Sequence, residues 1–166
     1  MKASSRRDDS LIPLSREHQY ALLLCLRIHR GLIEHGADSA WLQTKANHAI
    51  SFFDEELTVH FQAEEEVLFP AMRELSGAPP IIDQLLAEHS AIRLLINELR
   101  DIDAVSIASR IKEFADSLEA HIRKEERELF PIYQDQASPE TIARVQRAIF
   151  SRIGSAAKPR RPELLE

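Results

Sequence analysis

The strongest constraint on the fold of this chain is an internal repeat. Residues 60–70 read HFQAEEEVLFP and residues 121–131 read HIRKEERELFP, so His, Glu, Glu, Leu, Phe and Pro recur at the same offsets. A Glu-His pair upstream repeats as well, at positions 17–18 and 88–89. A repeat of this length indicates two copies of one helical hairpin, since a single hairpin cannot bury its own apolar face.

The spacing of apolar residues predicts four long helices, and a cap followed by proline predicts a short fifth one. In each long segment they recur every three or four positions, which is the pattern of a helix with one buried face. The predicted caps are Ser15 for the first helix and Asp38 or Ser39 for the second. The third helix is predicted to begin near Ile81, and the fourth is predicted to include Ile107. Pro70 is predicted to end or kink the second helix, and Pro131 to end the fourth. The fifth helix is predicted to be capped by Ser138 and to reach about Arg152.

Four long helices joined by short connections predict an all-α fold. We expect an antiparallel up-down-up-down four-helix bundle with a short C-terminal fifth helix. The predicted domain is residues 14–153, with residues 1–13 as a flexible N-terminal arm and residues 154–166 as a flexible C-terminal tail. In such a bundle, residues early in the first and third helices meet residues late in the second and fourth helices.

Charge and composition argue against several classes of protein. A net charge of −6 and an isoelectric point near 5.7 do not fit a nucleic-acid binder, which needs a basic face, or a membrane-surface protein. No apolar run approaches the roughly 20 residues of a transmembrane helix, and the N-terminus lacks the apolar stretch of a secretory signal. The single cysteine, Cys25, cannot form an internal disulfide, so we expect a cytoplasmic protein.

Six polar residues lie on the apolar faces of the four long predicted helices. They are His18, His60, Glu64, His89, His121 and Glu125. A His and a Glu four residues apart lie on one face of a helix, so both can contact the same ion. Burying an unpaired carboxylate would cost several kcal/mol, and no Lys or Arg lies on these faces to offset that cost. The six residues therefore predict a metal site for two ions.

The predicted ligands suit first-row transition metals, with iron as the first candidate. If each Glu bridges two ions and each ion takes two His, each ion has about four protein ligands and keeps a position open for a small molecule. We therefore predict two carboxylate-bridged, non-haem iron ions as the cofactor. Zinc and manganese stay open as substitute ions.

These residues resemble the hemerythrin-like family, also called the HHE cation-binding domain. The family pattern is a His, then His-x-x-x-Glu, then a His and a second His-x-x-x-Glu. It matches the six residues in order and covers about residues 14 to 135. A Glu-Glu-x-x-Leu-Phe-Pro motif after the second His of each half strengthens the resemblance. The resemblance implies a di-iron centre, bridged by the two carboxylates, inside a four-helix bundle.

Two departures from the oxygen-carrying members of the family bear on function. Those members have a fifth His four residues after the third, where this chain has Arg93. They also tend to have His-x-x-x-x-Asp as the last pair, where this chain has His121 and Glu125. The resemblance therefore points away from a reversible oxygen carrier and toward relatives that sense oxygen or iron, react with peroxide or handle nitric oxide.

Three hypotheses about function remain open at this point. In the first, the chain is a di-iron protein that binds or senses a small diatomic or peroxide ligand. In the second, it is an enzyme that reduces peroxide or nitric oxide, or that donates iron for iron–sulfur cluster repair. In the third, it is a metal-free helical bundle that binds a protein partner. A homodimer or an unidentified protein partner fits all three.

Other polar residues near the six are predicted to lie outside the metal site. Glu17 and Glu88 are candidates for accepting a hydrogen bond from a site His on a neighbouring helix. Glu65 and Glu126 directly follow site residues but point roughly 100° away, so they are predicted to form solvated ion pairs. Cys25 is predicted to be a small apolar residue of the core.

Overall fold

The computed structural model describes residues 6–155 and 158–166, and all regular structure in these two ranges is helical. Helix α1 is Ile12–His35, α2 runs over residues 39–72, α3 is Ala78–Arg100, α4 runs over residues 107–136, and α5 is Pro139–Arg152. A 3-10 helix, Pro162–Leu165, follows near the C-terminus. The predicted all-α class is confirmed, as is the short fifth helix. None of the described helices is long and apolar enough to cross a membrane.

Helices α2 and α4 are continuous but change their hydrogen-bonding pattern at π-helical turns. The α-helical segments of α2 are Ser39–Phe52, Thr58–Ala63 and Phe69–Met72, and its π-helical turns are Phe53–Leu57 and Glu64–Leu68. The α-helical segments of α4 are Ile107–Lys124 and Phe130–Gln136, and its π-helical turn is Glu125–Leu129. Two of these three turns begin at a Glu of the predicted metal site. Such turns occur frequently at functional sites.

The prolines of the repeated motif do not stop the helices. Pro131 was predicted to end α4, but this helix continues to Gln136, and α2 continues past Pro70 to Met72. Each proline lies in the first turn of the α-helical segment that follows a π-helical turn. Proline is tolerated at that place because its fixed backbone angle suits a helix start and its missing N–H is not needed there.

The same property of proline moves two helix starts. Helices α1 and α3 each begin three residues before the predicted start, and Pro13 and Pro79 lie in their first turns. Ser15 is therefore inside α1 and is not its cap. Asp38 caps α2 by accepting hydrogen bonds from two backbone N–H groups at 3.0 Å, and Ser138 caps α5, as predicted.

The apolar residues form two separate clusters. The first apolar cluster includes Leu24, Ile28, Phe52, Phe61, Ile96, Phe114 and Leu118. The second apolar cluster includes Leu14, Leu68, Phe69, Leu85, Phe130, Tyr133 and Ile149. Helix α4 packs on α1 and α3, and the first segment of α2 packs on α3 and α4. Along each long helix the predicted site residues lie near the boundary between the two clusters.

Both chain ends, as far as they are described, pack on the helices. Leu11 and Ser10 are fully buried, and the Ser10 hydroxyl is 3.1 Å from the Tyr133 hydroxyl. At the other end Leu164 and Leu165 are buried in the first apolar cluster, and their 3-10 helix contacts α1 and α2. The sequence suggested flexible ends because these few apolar residues are surrounded by charged ones.

Candidate metal centre

The structure brings the six predicted site residues together from four helices. His18 lies in the first half of α1, and His60 and Glu64 lie in the second half of α2. His89 is the middle residue of α3, and His121 and Glu125 lie near the middle of α4. All six side chains are buried, with at most 2% of their surface exposed. A group of four imidazoles and two carboxylates is therefore enclosed between the two apolar clusters.

The four imidazoles form two pairs. Nε2 of His18 is 3.1 Å from Nε2 of His60, and Nε2 of His89 is 3.1 Å from Nε2 of His121. We call these the first His pair and the second His pair. In each pair the two nitrogens point at the same small volume, which is how two His ligands of one ion are arranged.

Each of the two carboxylates lies between the two His pairs. One oxygen of Glu64 is 2.9 Å from His60 Nε2, and its other oxygen is 3.2 Å from His89 Nε2. One oxygen of Glu125 is 3.1 Å from His18 Nε2, and its other oxygen is 3.5 Å from His121 Nε2. Both carboxylates thus present one oxygen to each His pair, the arrangement that a carboxylate bridge between two ions requires.

The carboxylate oxygens fit a bound cation. All four oxygens of Glu64 and Glu125 are buried, and none has a hydrogen-bond partner within the described part of the chain. The six residues divide into two groups, each with one His pair and both carboxylates, whose ligand atoms lie within 4.8 Å of one another. Because a buried, unpaired carboxylate is costly, two cations are the partners that best complete this centre.

The charges of the centre change the proton affinity of its residues. Burial lowers the pKa of His60, but the carboxylates of Glu64 and Glu17 outweigh burial and raise that pKa to about 9. His18 is likewise buried, and Glu125 and Glu126 raise its pKa well above the usual value. In the metal-free chain these imidazoles therefore hold protons that supply part of the positive charge a metal would supply.

A comparison with protein families agrees with this geometry. The family model described as the hemerythrin HHE cation binding domain matches residues 13–133. The chain belongs to this family. Membership implies metal binding, and the two His/Glu groups are where the HHE domain of this chain could hold its ions.

One curated relative is similar in sequence to part of this chain. A DNA nickase from Nostoc sp. (strain PCC 7120) is 33% identical over 87 residues, which are 51% of this chain and 24% of the nickase. This chain therefore spans only about a quarter of the length of that relative. No solved structure matches the chain significantly.

Each imidazole of the HHE centre has a carboxylate within hydrogen-bond distance of its Nδ1 atom, on the side opposite the centre. The Nδ1 atoms of His18, His60, His89 and His121 lie 2.7, 2.8, 2.7 and 2.9 Å from oxygens of Glu126, Glu17, Glu65 and Glu88, respectively. We call these four residues the outer acids. When Nδ1–H donates to an outer acid, the Nε2 lone pair is left facing the centre, which is the tautomer that a metal needs.

Two of the outer acids were predicted from the sequence and two were not. Glu17 and Glu88 accept hydrogen bonds from site His residues, as predicted. Glu65 and Glu126 do the same, which was not predicted, and each also forms the predicted ion pair with an arginine, Arg93 and Arg7 respectively. A π-helical turn holds more residues than an α-helical one, so it rotates Glu65 by less than the roughly 100° assumed for the residue after Glu64.

Arg93 occupies the position where the oxygen-carrying hemerythrins have their fifth His. Its guanidinium lies 2.9 Å from the Glu65 oxygen that also faces His89 Nδ1. Arg93 thus supports an outer acid and leaves four imidazoles at the centre. Each His pair of this HHE domain therefore contributes the same number of nitrogens.

Cys25 is a buried thiol of the first apolar cluster. Burial, with a smaller contribution from Glu119, raises the pKa of this thiol to about 12. A thiol with such a pKa stays protonated at neutral pH and is a poor nucleophile. Its position agrees with the predicted role as a small apolar core residue.

A small cavity lies beside the first His pair. It is lined by Glu17, Tyr20, Phe52, Glu56, Leu57 and His60. The volume open to the centre of a water-sized molecule is about 10 Å³, which is room for roughly one such molecule. The cavity is therefore large enough for a small molecule and is lined by one residue of the centre, His60.

Proposed function

We propose that this chain is a di-iron protein that binds or senses a small oxidant: oxygen, nitric oxide or peroxide. Its metal ligands would be the six residues of the centre, namely His18, His60, Glu64, His89, His121 and Glu125. The observation that carries the proposal is the position of the two carboxylates, each of which presents one oxygen to each His pair. Without metal these oxygens make no hydrogen bond within the described part of the chain, and protonated imidazoles balance only part of their charge.

The chain itself prepares the centre for such a ligand. Iron, when bound, would supply electrons and an open coordination position. The outer acids fix the imidazoles through Nδ1, so little reorientation is needed when metal enters. The ring of Phe61 stacks on His89 with 3.7 Å between ring centroids, and the ring of Phe130 stacks on His18 with 5.6 Å. These rings cover two imidazoles with apolar surface, and the small cavity beside His60 offers space for a ligand next to the centre.

The same proposal includes the arrangement of the helices. We propose that α1–α4 form an antiparallel up-down-up-down bundle within residues 14–153. In support, α4 packs on both α1 and α3, and His18 from the first half of α1 meets His60 and Glu64 from the second half of α2. Because only three residues separate α1 from α2, these side chains can meet only if the two helices run in opposite directions.

Metal content and optical absorption of anaerobically purified protein test the proposal. We expect two iron ions per chain, and new near-ultraviolet bands after exposure to air, because iron bridged by carboxylates changes its absorption on oxidation. His60→Ala should lose both signals, whereas His48→Ala, on the same helix but outside the centre, should keep them. A folded protein that stays free of iron after reconstitution would contradict the proposal and favour the partner-binding bundle.

Turnover separates a sensor from an enzyme. A sensor should react once per centre with peroxide or nitric oxide and then stop, whereas an enzyme with a supplied reductant should consume many equivalents. The experiment mixes iron-loaded protein with excess peroxide or nitric oxide and follows their disappearance. Zinc-loaded protein serves as the control, because zinc fills His/carboxylate sites but has no redox chemistry.

The likeness to a DNA nickase suggests a separate assay. We propose that this chain does not bind nucleic acid, because its net charge is −6 and the proposed metal ligands are buried. Supercoiled plasmid incubated with iron-loaded protein at low salt should stay supercoiled. Conversion to the open circular form, lost in His60→Ala, would overturn this part of the proposal.

A further inference from the structure

Each outer acid contacts a cationic side chain as well as its imidazole, and in Glu17, Glu88 and Glu126 the cation meets the oxygen that does not face the imidazole. The pairs are Glu65–Arg93 at 2.9 Å, Glu17–Arg160 at 3.4 Å, Glu88–Lys124 and Glu126–Arg7. Each imidazole of the centre thus contacts an outer acid, and that outer acid in turn contacts a cationic side chain. These charge-assisted contacts hold the carboxylate in the orientation that its imidazole needs.

The cations behind the second His pair come from the helices that carry that pair. Arg93 lies one turn after His89 in α3, and Lys124 lies just after His121 in α4. The internal repeat identifies the corresponding positions in the first half of the chain as Leu22 and Ala63. Neither residue carries a charge, so the first half of the repeat lacks the cations of the second half at these positions.

The N-terminal end supplies a cation behind His18. The guanidinium of Arg7 contacts the carboxylate of Glu126, whose other oxygen faces His18 Nδ1. Arg7 is itself fixed on α4, because it donates to the side chain of Gln134 at 2.8 Å and lies 5.0 Å from the ring centroid of Phe130. These contacts fix the N-terminal segment on α4, with the Arg7 guanidinium next to the outer acid Glu126.

The C-terminal end supplies a cation behind His60. Arg160 contacts Glu17, which accepts from His60, and lies 2.9 Å from Glu56. The carboxylate of Glu56 also accepts hydrogen bonds from the backbone N–H groups of Arg160 and Arg161. The tail is thus tied to α2 at the same place where its guanidinium approaches the outer acid.

We propose that the two chain ends are functional parts of one metal position and not of the other. Arg7 and Arg160 would be positioning residues for the ion held by the first His pair, which would be inequivalent to the ion held by the second. This inference rests on the proposed di-iron centre. It assigns the ends of the chain the role that Arg93 and Lys124 have in the second half of the repeat.

The inference predicts that one ion depends on the chain ends. Without Arg7 and Arg160, the outer acids Glu126 and Glu17 lose their charged partners and hold the first His pair less firmly. The ion at that position should then leave about tenfold faster, the lower end of the effect seen for residues behind metal ligands. The ion at the second His pair should leave at the wild-type rate.

Transfer of iron from the full-length protein to a ferrous chelator under anaerobic conditions measures both rates. The end variant, Arg7→Ala with Arg160→Ala, should release one iron per chain faster and the other unchanged. The helix variant, Arg93→Ala with Lys124→Ala, should also release one iron per chain faster than the wild type. Combining all four substitutions should accelerate both irons, because the two variants act on different ions.

Three controls keep the result specific. The single variant Arg160→Lys should release iron nearly as slowly as the wild type, because lysine keeps the positive charge behind Glu17. Arg161→Ala removes the neighbouring arginine, whose side chain pairs with Glu163 and Glu55, and should leave both rates unchanged. Thermal unfolding of the iron-free variants shows whether a variant is merely less stable, an effect that would accelerate both irons equally.

The outcomes that contradict the inference are distinct from those that contradict the di-iron proposal. Wild-type protein without iron would overturn the di-iron centre and this inference with it. Wild-type protein with two irons would keep the centre, and the inference alone would fail if the end variant accelerated neither iron or both. It would also fail if the end and helix variants accelerated the same iron, with no further effect on combination.

Discussion

The smallest functional unit of this molecule is a His paired with a Glu behind it. A lone buried His is usually a hydrogen-bonded core residue, but here all four imidazoles turn Nε2 toward the same centre and Nδ1 toward an outer acid. Burial alone would raise the pKa of Glu126, yet the hydrogen bond with His18 and the charge of that imidazole, with smaller contributions from Ser15 and Arg7, lower that pKa to about 2. Glu126 therefore stays ionised and accepts hydrogen bonds at any pH at which the protein is used.

Replacing an outer acid should weaken metal binding without removing a metal ligand. In Glu126→Gln the side chain keeps its shape but loses its charge, so it holds the His18 imidazole less strongly. We expect iron affinity to fall by about tenfold to a hundredfold. Competition with a chelator of known affinity measures the change. Glu128→Gln, at an exposed position of the same π-helical turn, should bind iron like the wild type.

The raised pKa of His60 predicts how the stability of the iron-free protein depends on pH. A group whose pKa is higher in the folded chain than in the unfolded one stabilises the fold while it is protonated. That stabilisation is complete below the ordinary value of 6.5 and is lost as the pH rises through about 9. The melting temperature of the iron-free protein should therefore fall between these pH values.

Removing the titrating group checks the assignment. In iron-free His60→Asn the decline in melting temperature over the same pH range should be smaller, because one of the imidazoles that lose a proton is absent. A wild-type melting temperature that rises across this range would contradict the raised pKa.

At the scale of helices, the sequence predicted the buried faces and the polar residues on them well. It predicted the helix ends less accurately. The spacing of three and four residues correctly predicted the four long helices, because it reflects which face of each helix is buried. The Ser138 cap followed by proline correctly predicted the fifth. The prolines were harder to interpret. Proline in the first turn of a segment and proline that breaks a helix look the same in the sequence, and Pro131 was assigned to the wrong class.

The N-terminus of α2 offers a test that separates two neighbouring residues. The sequence left Asp38 and Ser39 open as the cap, and the structure assigns the role to Asp38. Asp38→Ala should lower the free energy of unfolding by about 1 kcal/mol, because two backbone N–H groups lose their acceptor. Ser39→Ala should change it by less than about 0.5 kcal/mol. Chemical denaturation measures both values.

At the scale of the whole molecule, the proposed metal centre replaces a layer of apolar core. The six site residues lie between the two apolar clusters, so four imidazoles and two carboxylates take the place of side chains that would otherwise stabilise the fold. Cations that neutralise this layer should therefore hold the clusters together. Stability and metal content are expected to be coupled across the entire chain.

Metal removal should consequently lower the melting temperature. A ligand that binds only the folded state stabilises it, by about 4 kcal/mol when its concentration is a thousand times its dissociation constant. Iron-loaded protein should melt at a lower temperature after treatment with a chelator, and iron should restore the original value. An unchanged melting temperature would favour the metal-free partner-binding bundle.

The whole molecule also shows where prediction from sequence stops. The six centre residues could be found because helical spacing puts each His-x-x-x-Glu pair on one face and the repeat doubles the signal. The contributions of Arg7 and Arg160 could not be found that way. More than a hundred residues separate each of them from the outer acid that it contacts, and local periodicity carries no information over that distance.

The π-helical turns at Glu64–Leu68 and Glu125–Leu129 change how the repeated motif should be aligned with other helical sequences. A π-helical turn is in effect one inserted residue in an α-helix. In α4 the buried face follows one phase before this insertion and meets the first apolar cluster, and after the insertion the phase is shifted and the face meets the second. Helix α2 has a further π-helical turn at Phe53–Leu57, so its phase shifts twice. Any comparison that forces a single heptad phase through either motif will misplace every residue on one side of its first glutamate.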